Sequence, residues 1–310
     1  MRILFISSGN SVNGISPIVI NQGQSLIDNG VSVDYLTIKG KGLIGYLKFI
    51  PKIRKHLKQN KYDVIHAHYS LSAFAATLAG AKPLVVSLMG SDLKASKWFK
   101  YIIWLFYKLS WKVTIVKSLD MSEGLGLTPL EIIPNGVNLN RFRPLEKNKC
   151  QAQLKWDSTK IHILFPANPN RKEKNYKLLE EVRNVIKNND IKIETLTNVP
   201  NVDVPIYMNA ANVVVLLSLW EGSPNAIKEA MACNIPIVST NVGDVKNVIG
   251  ETEGCFITNF DSAEVADKIK KALEFDKRTK GRDRIKELGL DSESTANKII
   301  EIYNKVLTKK

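Results

Sequence analysis

Residues 212–240, "NVVVLLSLWEGSPNAIKEAMACNIPIVST", predict parallel strands joined by a helix. The first part is a continuous Val and Leu run, which is typical of a strand buried on both faces of a sheet. Ser223 and Pro224 then offer an N-cap and a proline at the first helical position, so we predict a helix from Pro224 to about Ala232. A second apolar run, "IPIVS", follows this helix and completes a strand-helix-strand unit.

Similar apolar runs recur along the chain and mostly alternate with segments of helical period. They are "RILFIS", "VSVDYLTI", "DVIHAH", "PLVVSL", "VTIVK" and "EIIP", followed by "IHILFPA", "IKIETL", "VVVLLS", "IPIVS" and "GCFIT". Short Val, Ile and Leu runs separated by helices are what a parallel sheet with helices on both faces requires. The sequence therefore predicts an α/β protein whose two halves are each a doubly wound parallel sheet.

The chain has 310 residues, which suits two domains of ordinary size. Residues 133–144, "IPNGVNLNRFRP", are dense in Pro, Asn and Gly and predict a linker. We therefore predict domains at 1–144 and 145–290. The last residues, 291–310, begin with helix-capping side chains and predict a C-terminal helix.

The three cysteines, Cys150, Cys233 and Cys255, form no CxxC pair, which argues against a disulfide framework or structural zinc. No apolar run approaches the roughly 18 residues of a membrane span, and the N-terminal run is too short for a signal peptide. We therefore expect a cytoplasmic protein, with peripheral contact at the inner face of the cell membrane as an open alternative.

The net charge is +14, and most of it lies in residues 1–144, where 18 Lys and Arg face 7 Asp and Glu. Such a bias suits an acidic partner. Residues 42–63 and 94–112 are basic, amphipathic and rich in aromatic side chains. Each suits either a core-facing helix with a solvated lysine face or contact with anionic lipid. No nucleic-acid-binding signature is present, so we expect no nucleic-acid partner.

Two carboxylates flank the predicted helix start, Glu221 before it and Glu229 about two turns into it. Loops after the carboxyl ends of parallel strands bind ligands, and a helix N-terminus there attracts phosphate. Carboxylates do not bind phosphate, so their partners would be hydroxyl groups on either side of a diphosphate, as in a nucleoside diphosphate sugar. Spacing alone leaves open that Glu221 caps the turn and that Glu229 is a solvated helix residue.

This region resembles the signature of glycosyltransferase family 4, retaining enzymes of GT-B fold, whose Glu-x7-Glu motif is matched by Glu221 and Glu229. Residues 132–144, "IIPNGVNLNRFRP", resemble the interdomain linker of that family. The resemblance covers nearly the whole chain and is nearest to bacterial enzymes that build cell-surface polysaccharides such as teichuronic acid or capsule. It implies two Rossmann-like domains facing across a cleft.

The resemblance also implies residue roles. Glu229 would bind the ribose hydroxyls and Glu221 would contact the donor sugar. The segment facing the diphosphate would consist of Gly222, Ser223, Pro224 and Asn225. Gly14 stands in the position of the glycine-rich loop after the first strand, which would approach the donor phosphates or the acceptor.

The sequence departs from the family pattern after the first strand of the second domain, in "FPANPNRKEKNYKLLEE". Asn168 stands where the family has an arginine. The resemblance then implies that Lys174 holds the diphosphate, with Arg171 replacing the missing arginine; "RKEK" as a solvated charge run is the alternative.

A second departure is Met89, at a position where many relatives have a histidine that contacts the donor sugar. Methionine cannot replace that polar contact, so Asp92, His66 or His68 would supply it, or the enzyme would lack it. We interpret His66 and His68 as facing opposite ways at the end of a strand. A strand-end histidine is more often structural than catalytic.

The resulting hypothesis is a hexosyl-type, retaining glycosyltransferase that moves sugar from a nucleoside diphosphate sugar to a saccharide or lipid-linked acceptor. Its catalytic candidates are Glu221, Lys174, Arg171 and Asp92. No Asp-x-Asp motif or metal-ligand cluster is evident, so we expect neither a metal nor a cofactor besides the donor substrate. A nucleotide-sugar epimerase and a non-catalytic basic membrane-associated scaffold remain as alternatives.

Overall fold

The structure is a computed structural model and describes residues 1–11, 14–93 and 96–308. Contacts divide the chain into two units. The first comprises Met1–Gly136 and the segment from Ser292 onward, and the second comprises Val137–Asp291.

The first unit, as far as it is described, contains a six-stranded parallel sheet. Its strands are β1 (Arg2–Ser8), β2 (Ser32–Ile38), β3 (Val64–His68), β4 (Leu84–Ser87), β5 (Val113–Val116) and β6 (Glu131–Ile132), in the order β2-β1-β3-β4-β5-β6. Its helices before Gly136 are α1 (Pro17–Asp28), α2 (Gly42–Leu47), α3 (Ile50–Gln59), α4 (Ser70–Leu78), α5 (Gly90–Leu93), α6 (Lys97–Leu109) and α7 (Leu119–Leu125).

The second unit contains, among its described residues, a five-stranded parallel sheet. Its strands are β7 (Ile161–Phe165), β8 (Ile191–Thr195), β9 (Val213–Leu216), β10 (Ile237–Thr240) and β11 (Cys255–Thr258), in the order β11-β10-β9-β7-β8. Its helices are α8 (Lys147–Leu154), α9 (Tyr176–Ile186), α10 (Val204–Ala210), α11 (Asn225–Ala232), α12 (Val245–Ile249), α13 (Ser262–Glu274) and α14 (Gly281–Glu287). The predicted α/β class and doubly wound parallel sheets are therefore confirmed.

The C-terminal helix α15 (Ser292–Thr308) returns to the first unit. Ile299 and Tyr303 are fully buried there and pack in one core cluster with Ile3 and Phe5 of β1. The other face of the same sheet is covered by a separate cluster that includes residues of α2, α3, α4 and α6. Helices thus cover both faces of the first sheet, as parallel strands require.

The structure divides the units at residue 136, eight residues before the predicted boundary at 144. The end of the predicted linker packs in the second unit because Val137 and Phe142 are buried in its core. Arg282 of α14 also donates to the carbonyls of Leu139 and Phe142 over 2.9 and 2.8 Å. The predicted linker residues 137–144 therefore belong to the second unit by contact. No helix among the described residues is long and apolar enough to cross a membrane.

Candidate active site

The loops after β7 and β9 leave the second sheet at its topological switch point. Strand β8 lies on one side of β7 and β9 lies on the other, so the chain changes direction along the sheet between these two strands. Ligands of open α/β sheets bind at such a point, beyond the carboxyl ends of the strands. Lys174 and Glu221, both predicted from the sequence, follow β7 and β9 respectively.

Lys174 and Glu221 form an ion pair at this point. Lys174 Nζ contacts Glu221 Oε1, and Ser218 Oγ donates to the same oxygen over 2.8 Å. The two side chains are 11% and 17% exposed. The backbone N–H of Leu219 donates to the carbonyl of Glu173 over 2.8 Å, which joins the two loops. The structure therefore brings a predicted phosphate-binding lysine and a predicted sugar-binding carboxylate together.

Arg171 makes a different contact. Its guanidinium Nε donates to Glu173 Oε1 over 2.7 Å, and its side chain is 57% exposed. Asn168 shapes the same turn because its Oδ1 accepts from the N–H of Asn170 over 2.9 Å and its carbonyl accepts from that of Arg171 over 3.1 Å. The role of Arg171 as a replacement for the missing arginine stays a prediction.

The predicted helix after Glu221 is present, but its start differs by one residue. Helix α11 begins at Asn225, and Pro224 rather than Ser223 occupies the N-cap. The Ser223 hydroxyl instead donates to Asp244 Oδ2 over 2.6 Å and accepts from Lys228 Nζ over 2.9 Å. The interpretation of Ser223 as an N-cap was therefore wrong, because Asp244 from another loop and Lys228 from α11 itself engage its oxygen.

Lys228 and Asp244 are members of the site that sequence reasoning missed. Lys228 is 1% exposed, and burial lowers its pKa to about 8, while the charges of Asp244 and Glu229 raise it. Asp244 lies beyond β10, in the loop before α12. Its position after a carboxyl strand end was a usable signal. No signal in the sequence indicated that Lys228 is buried, because this residue adjoins the predicted site but matches no motif.

Gly222 and Gly243 allow the two loops to approach closely. A Cβ added at Gly243 would lie 2.2 Å from the carbonyl oxygen of Gly222 and 3.1 Å from that of Glu221. Gly243 also has φ +56°, in the left-handed region that favours glycine. Thr240 Oγ1 donates to the carbonyl of Ser218 over 2.8 Å and further fixes the loop after β9.

Glu229 lies on α11, two residues before Met231 and beside the buried Lys228. Burial raises the pKa of Glu229 to about 7, while the positive charges of Arg141 and Lys228 lower it. Arg141 comes from the predicted linker and donates to the carbonyl of Asn201. The Asn225 Oδ1 at the start of α11 is buried and has no hydrogen-bond partner among the described residues. Burial thus favours the neutral form of Glu229, while the positive charge around it favours the ionised form.

Two site residues were predicted in the first unit. Gly14 has φ +81°, and its N–H donates to the carbonyl of Ser11 over 2.9 Å, beyond the end of β1. Asp92 is 1% exposed and accepts from Ser70 Oγ over 2.6 Å and from the N–H of Met89 over 2.8 Å. Burial raises the pKa of Asp92 to about 6 against these hydrogen bonds. Asp92 thus joins α5 to the start of α4 and to Met89, and its contact with substrate stays a prediction.

His66 and His68 share one face of the sheet, so the interpretation that they point opposite ways was wrong. Residues two apart on a strand have the same orientation, and the two rings stack with centroids 4.4 Å apart. Tyr303 and Ser87 flank His66, with Tyr303 Oη 2.6 Å from Nδ1 and Ser87 Oγ 2.8 Å from Nε2. Both histidines are buried, which favours a structural role.

No group of three or more His, Cys, Asp or Glu side chains in residues 1–11, 14–93 and 96–308 lies close enough to hold a metal ion. The described residues of the candidate site supply an amine, carboxylates, a hydroxyl and the start of a helix. These groups suit a ligand that carries both phosphate charge and hydroxyl donors.

Comparisons with solved structures show the fold. Sucrose-phosphate synthase from Thermosynechococcus elongatus matches with a TM-score of 0.84 and 17% identity, over 100% of both chains. HepE from Anabaena, solved in complex with UDP and glucose, matches with a TM-score of 0.73 and 17% identity, over 98% of this chain and 100% of that one. The GT-B assignment of the fold is thereby confirmed.

Curated relatives align over part of the chain. A UDP-Gal:alpha-D-GlcNAc-diphosphoundecaprenol alpha-1,3-galactosyltransferase from Escherichia coli is 28% identical over 64% of this chain and 63% of its own length. TuaC of Bacillus subtilis (strain 168), a glycosyltransferase named for teichuronic acid biosynthesis, is 25% identical over 66% of this chain and 60% of its own length. The chain thus covers less than two thirds of these two relatives.

Two family models match successive parts of the chain. The model described as Glycosyltransferase Family 4 matches residues 18–141, and the model described as Glycosyl transferases group 1 matches residues 171–289. The second match contains Arg171, Lys174, Glu221 and Glu229. Together the two matches cover most of both units, and the chain therefore belongs to the glycosyltransferases of family 4 and group 1.

Proposed function

We propose that this chain transfers a glycosyl group from a nucleoside diphosphate sugar to a saccharide or lipid-linked acceptor, in the synthesis of a cell-surface polysaccharide. The observation that carries the proposal is the Lys174–Glu221 ion pair at the switch point. Glu221 lies four residues before the start of α11. An amine and a helix N-terminus are suited to a diphosphate, and nearby carboxylates are suited to sugar and ribose hydroxyls.

The arrangement gives each group a distinct task. Lys174 Nζ would move from Glu221 Oε1 towards a phosphate oxygen as the donor binds, and its charge would stabilise the departing diphosphate. Glu221 would then accept a hydrogen bond from a sugar hydroxyl, while Ser218 Oγ keeps the carboxylate in place over 2.8 Å. Glu229 would accept from the ribose hydroxyls, which requires its ionised form.

We further propose retention at the anomeric carbon without a divalent metal ion. The bond between the sugar and the diphosphate would break with its electrons leaving on the phosphate oxygen. The acceptor hydroxyl oxygen would attack the same face, and its proton would pass to that departing phosphate oxygen. Lys174 and the start of α11 would replace a metal as the source of positive charge. Anomeric proton coupling in the product, followed by NMR in the presence and absence of EDTA, tests both statements.

The relatives support the choice of substrates. The name of the Escherichia coli relative specifies a UDP-linked galactose donor and a diphosphoundecaprenol-linked acceptor, and HepE is solved with UDP-glucose. We therefore propose a lipid-linked acceptor and a position at the cytoplasmic face of the membrane for this chain. The large positive charge of residues 1–144 is consistent with that position.

Calorimetric titration with UDP, ADP and GDP tests the donor site. We expect one of them to bind and expect Lys174→Met to weaken that binding at least about tenfold, because an N⁺–H···O⁻ contact with phosphate is charge-assisted. Lys177→Met is the matched control, since Lys177 lies three residues further on and is 86% exposed. Equal weakening by both variants, or by neither, would contradict the assignment.

Incubation of the active protein with donor alone separates transfer from epimerisation. A glycosyltransferase leaves the sugar configuration of the donor unchanged until acceptor is added, whereas an epimerase converts it. A non-catalytic scaffold would bind no nucleotide at all, so the titration above also tests that alternative.

A further inference from the structure

Helix α6 (Lys97–Leu109) has two apolar faces. One face joins the core of the first unit: the Phe74 ring of α4 lies 5.6 Å from that of Phe99 and 4.6 Å from that of Phe106, centroid to centroid, and Ile103 is fully buried. A core-facing helix would carry polar side chains opposite this face. The opposite face of α6 is instead mostly apolar.

The outer face of α6 consists of large exposed side chains. They are Trp98 at 67% exposure, Tyr101 at 60%, Trp104 at 40%, Leu105 at 38% and Leu109 at 77%. Trp98, Tyr101, Leu105 and Leu109 follow a spacing of three or four residues and therefore form one stripe, about 16 Å long at 1.5 Å per residue. The rings of Tyr101 and Trp104 stack with centroids 5.7 Å apart. Single exposed apolar residues are ordinary, but a continuous stripe marks an interaction site.

Positive charge surrounds this stripe. Lys97 and Lys108 lie on α6 itself and are exposed. Residues 39–112 contain 14 Lys and Arg but two acidic residues, Asp63 and Asp92, of which Asp92 is buried. Helix α3, which carries Lys52, Lys55 and Lys58, packs in the same core cluster as α6 and so lies on the same side of the sheet. An apolar stripe within a basic surface is complementary to an anionic lipid headgroup layer above acyl chains.

We propose that the outer face of α6 inserts into the interfacial region of an anionic membrane, with the helix lying in the membrane plane. Trp98, Tyr101, Leu105 and Leu109 would enter the boundary between headgroups and acyl chains, and Lys97 and Lys108 would contact lipid phosphates. Aromatic rings favour this interface because one end is apolar and the other is polar. The sequence left this helix open between a core role and a lipid role, and the structure assigns it both.

Co-sedimentation with phosphatidylcholine vesicles, with and without phosphatidylglycerol, tests the proposal. We expect the intact chain to bind the anionic vesicles and to dissociate as salt rises. The double variant Trp98→Glu, Leu109→Glu should bind at least about tenfold more weakly, because charge is costly in the apolar layer. The matched control is Val185→Glu, Phe260→Glu, which alters exposed apolar residues of the second unit, at 48% and 52% exposure. It should bind as the wild type does.

Vesicles with brominated acyl chains add a readout that does not depend on a disruptive variant. The fluorescence of Trp98 should be quenched by the bromine atoms when the protein binds. The variant Trp98→Leu should bind nearly as well as the wild type but show less fluorescence quenching. Equal binding to neutral and anionic vesicles, no quenching, or an α6 variant that binds like wild type would overturn the proposal. So would a dimer that the α6 variant disrupts in the absence of lipid, since a second copy would then cover this face.

The inference does not depend on glycosyl transfer. Nucleotide binding by the α6 variant, measured in the same preparation, shows whether the second unit is intact. Lost vesicle binding with retained nucleotide binding therefore does not result from a damaged second unit, and the reverse result would affect the proposed function and not this proposal.

Discussion

Glu229 and Lys228 are adjacent residues whose ionisation is opposed by burial. Burial raises the pKa of Glu229 to about 7 and lowers that of Lys228 to about 8. Each charge is partly offset by the other and by Arg141 and Asp244. Charges are normally kept out of such positions because removing them from water is costly. Their presence beside the start of α11 is consistent with a site in which ligand binding, rather than stability, requires the carboxylate.

Glu229→Gln should separate stability from donor binding. The pKa of Glu229 lies above its usual value of 4.5, so the folded state binds more protons than the unfolded state between about pH 4.5 and 7, and stability falls as pH rises through this window. The variant lacks this cost, so its free energy of unfolding, compared with that of the wild type, should be higher at pH 8 than at pH 4 by on the order of 3 kcal/mol. Urea unfolding at both pH values measures the difference.

Nucleotide binding by the same variant should be weaker at pH 8, because an amide is a poorer acceptor for ribose hydroxyls than a carboxylate. Glu180→Gln on the exposed side of α9 is the control and should change neither property. A wild type that gains stability over Glu229→Gln as pH rises would contradict the pKa direction.

Gly243→Ala should destabilise the loop after β10. The added methyl group would lie 2.2 Å from the carbonyl oxygen of Gly222 at a positive φ, so two costs combine. Gly30→Ala separates them, since Gly30 has φ +79° but nothing within 4 Å of its Cβ position. We expect a loss of about 1 kcal/mol for Gly30→Ala and a loss of at least about 2 kcal/mol for Gly243→Ala. Similar unfolding midpoints for the two variants would show that the loop moves to relieve the contact.

At the scale of elements, α15 is the least expected feature of the packing. It comes from the far end of the sequence, yet Ile299, Ile302 and Tyr303 complete the core on one face of the first sheet. Tyr303 Oη and His66 Nδ1 lie 2.6 Å apart in this core. A fully buried hydroxyl needs such a partner, and burial raises the pKa of Tyr303 well above its usual value.

Tyr303→Phe should therefore cost about 1 to 3 kcal/mol in the free energy of unfolding, since His66 Nδ1 would be left in the core without its hydroxyl partner. Tyr101→Phe, at an exposed position of α6, should leave the unfolding midpoint nearly unchanged. Chemical denaturation of both variants measures the difference. A neutral Tyr303→Phe would show that another group or a water molecule replaces the hydroxyl.

At the scale of the whole molecule, the two units should respond to acid in opposite ways. Burial lowers the pKa of His68 to about 3, with a further contribution from Lys117, and lowers that of His66 well below its usual value. The unfolded state then binds more protons below about pH 6.5, so the first unit loses stability as pH falls. The raised pKa of Asp92 has the opposite effect, since its folded carboxyl takes up a proton as pH falls, but this one group faces two histidines in the first unit. The raised pKa of Glu229 stabilises the second unit at low pH in the same way.

Hydrogen exchange at pH 7 and pH 5, followed by mass spectrometry, resolves the units. We expect protection to fall in residues 1–11 and 64–68 on acidification, and to be maintained or to rise in α11. His68→Phe, which keeps an apolar ring in the core, should reduce the loss in the first unit. A larger loss of protection in α11 than in β1 between pH 7 and pH 5 would refute the assignment.

Most of the architecture followed from local sequence signals. Apolar runs located the strands because parallel strands are buried on both faces, and Ser223 and Pro224 marked α11 to within one residue. The contact partners of individual side chains were harder to predict from the sequence. Ser223 looked like a cap, but Asp244 and Lys228 engage it, and spacing carries no information about a partner in another loop.

The linear sequence was sufficient for the α/β class, the two parallel sheets and the helix after Glu221, whereas the candidates Lys174 and Glu221 came from the family resemblance. Periodicity and turn residues act over a few positions, so they are visible in a linear string. Four features are visible only in the folded chain: Lys174 pairs with Glu221, Lys228 is buried, α15 returns to the first sheet and α6 exposes a second apolar face. These features depend on which distant segments fill the space around a side chain, and burial sets both its partners and its pKa.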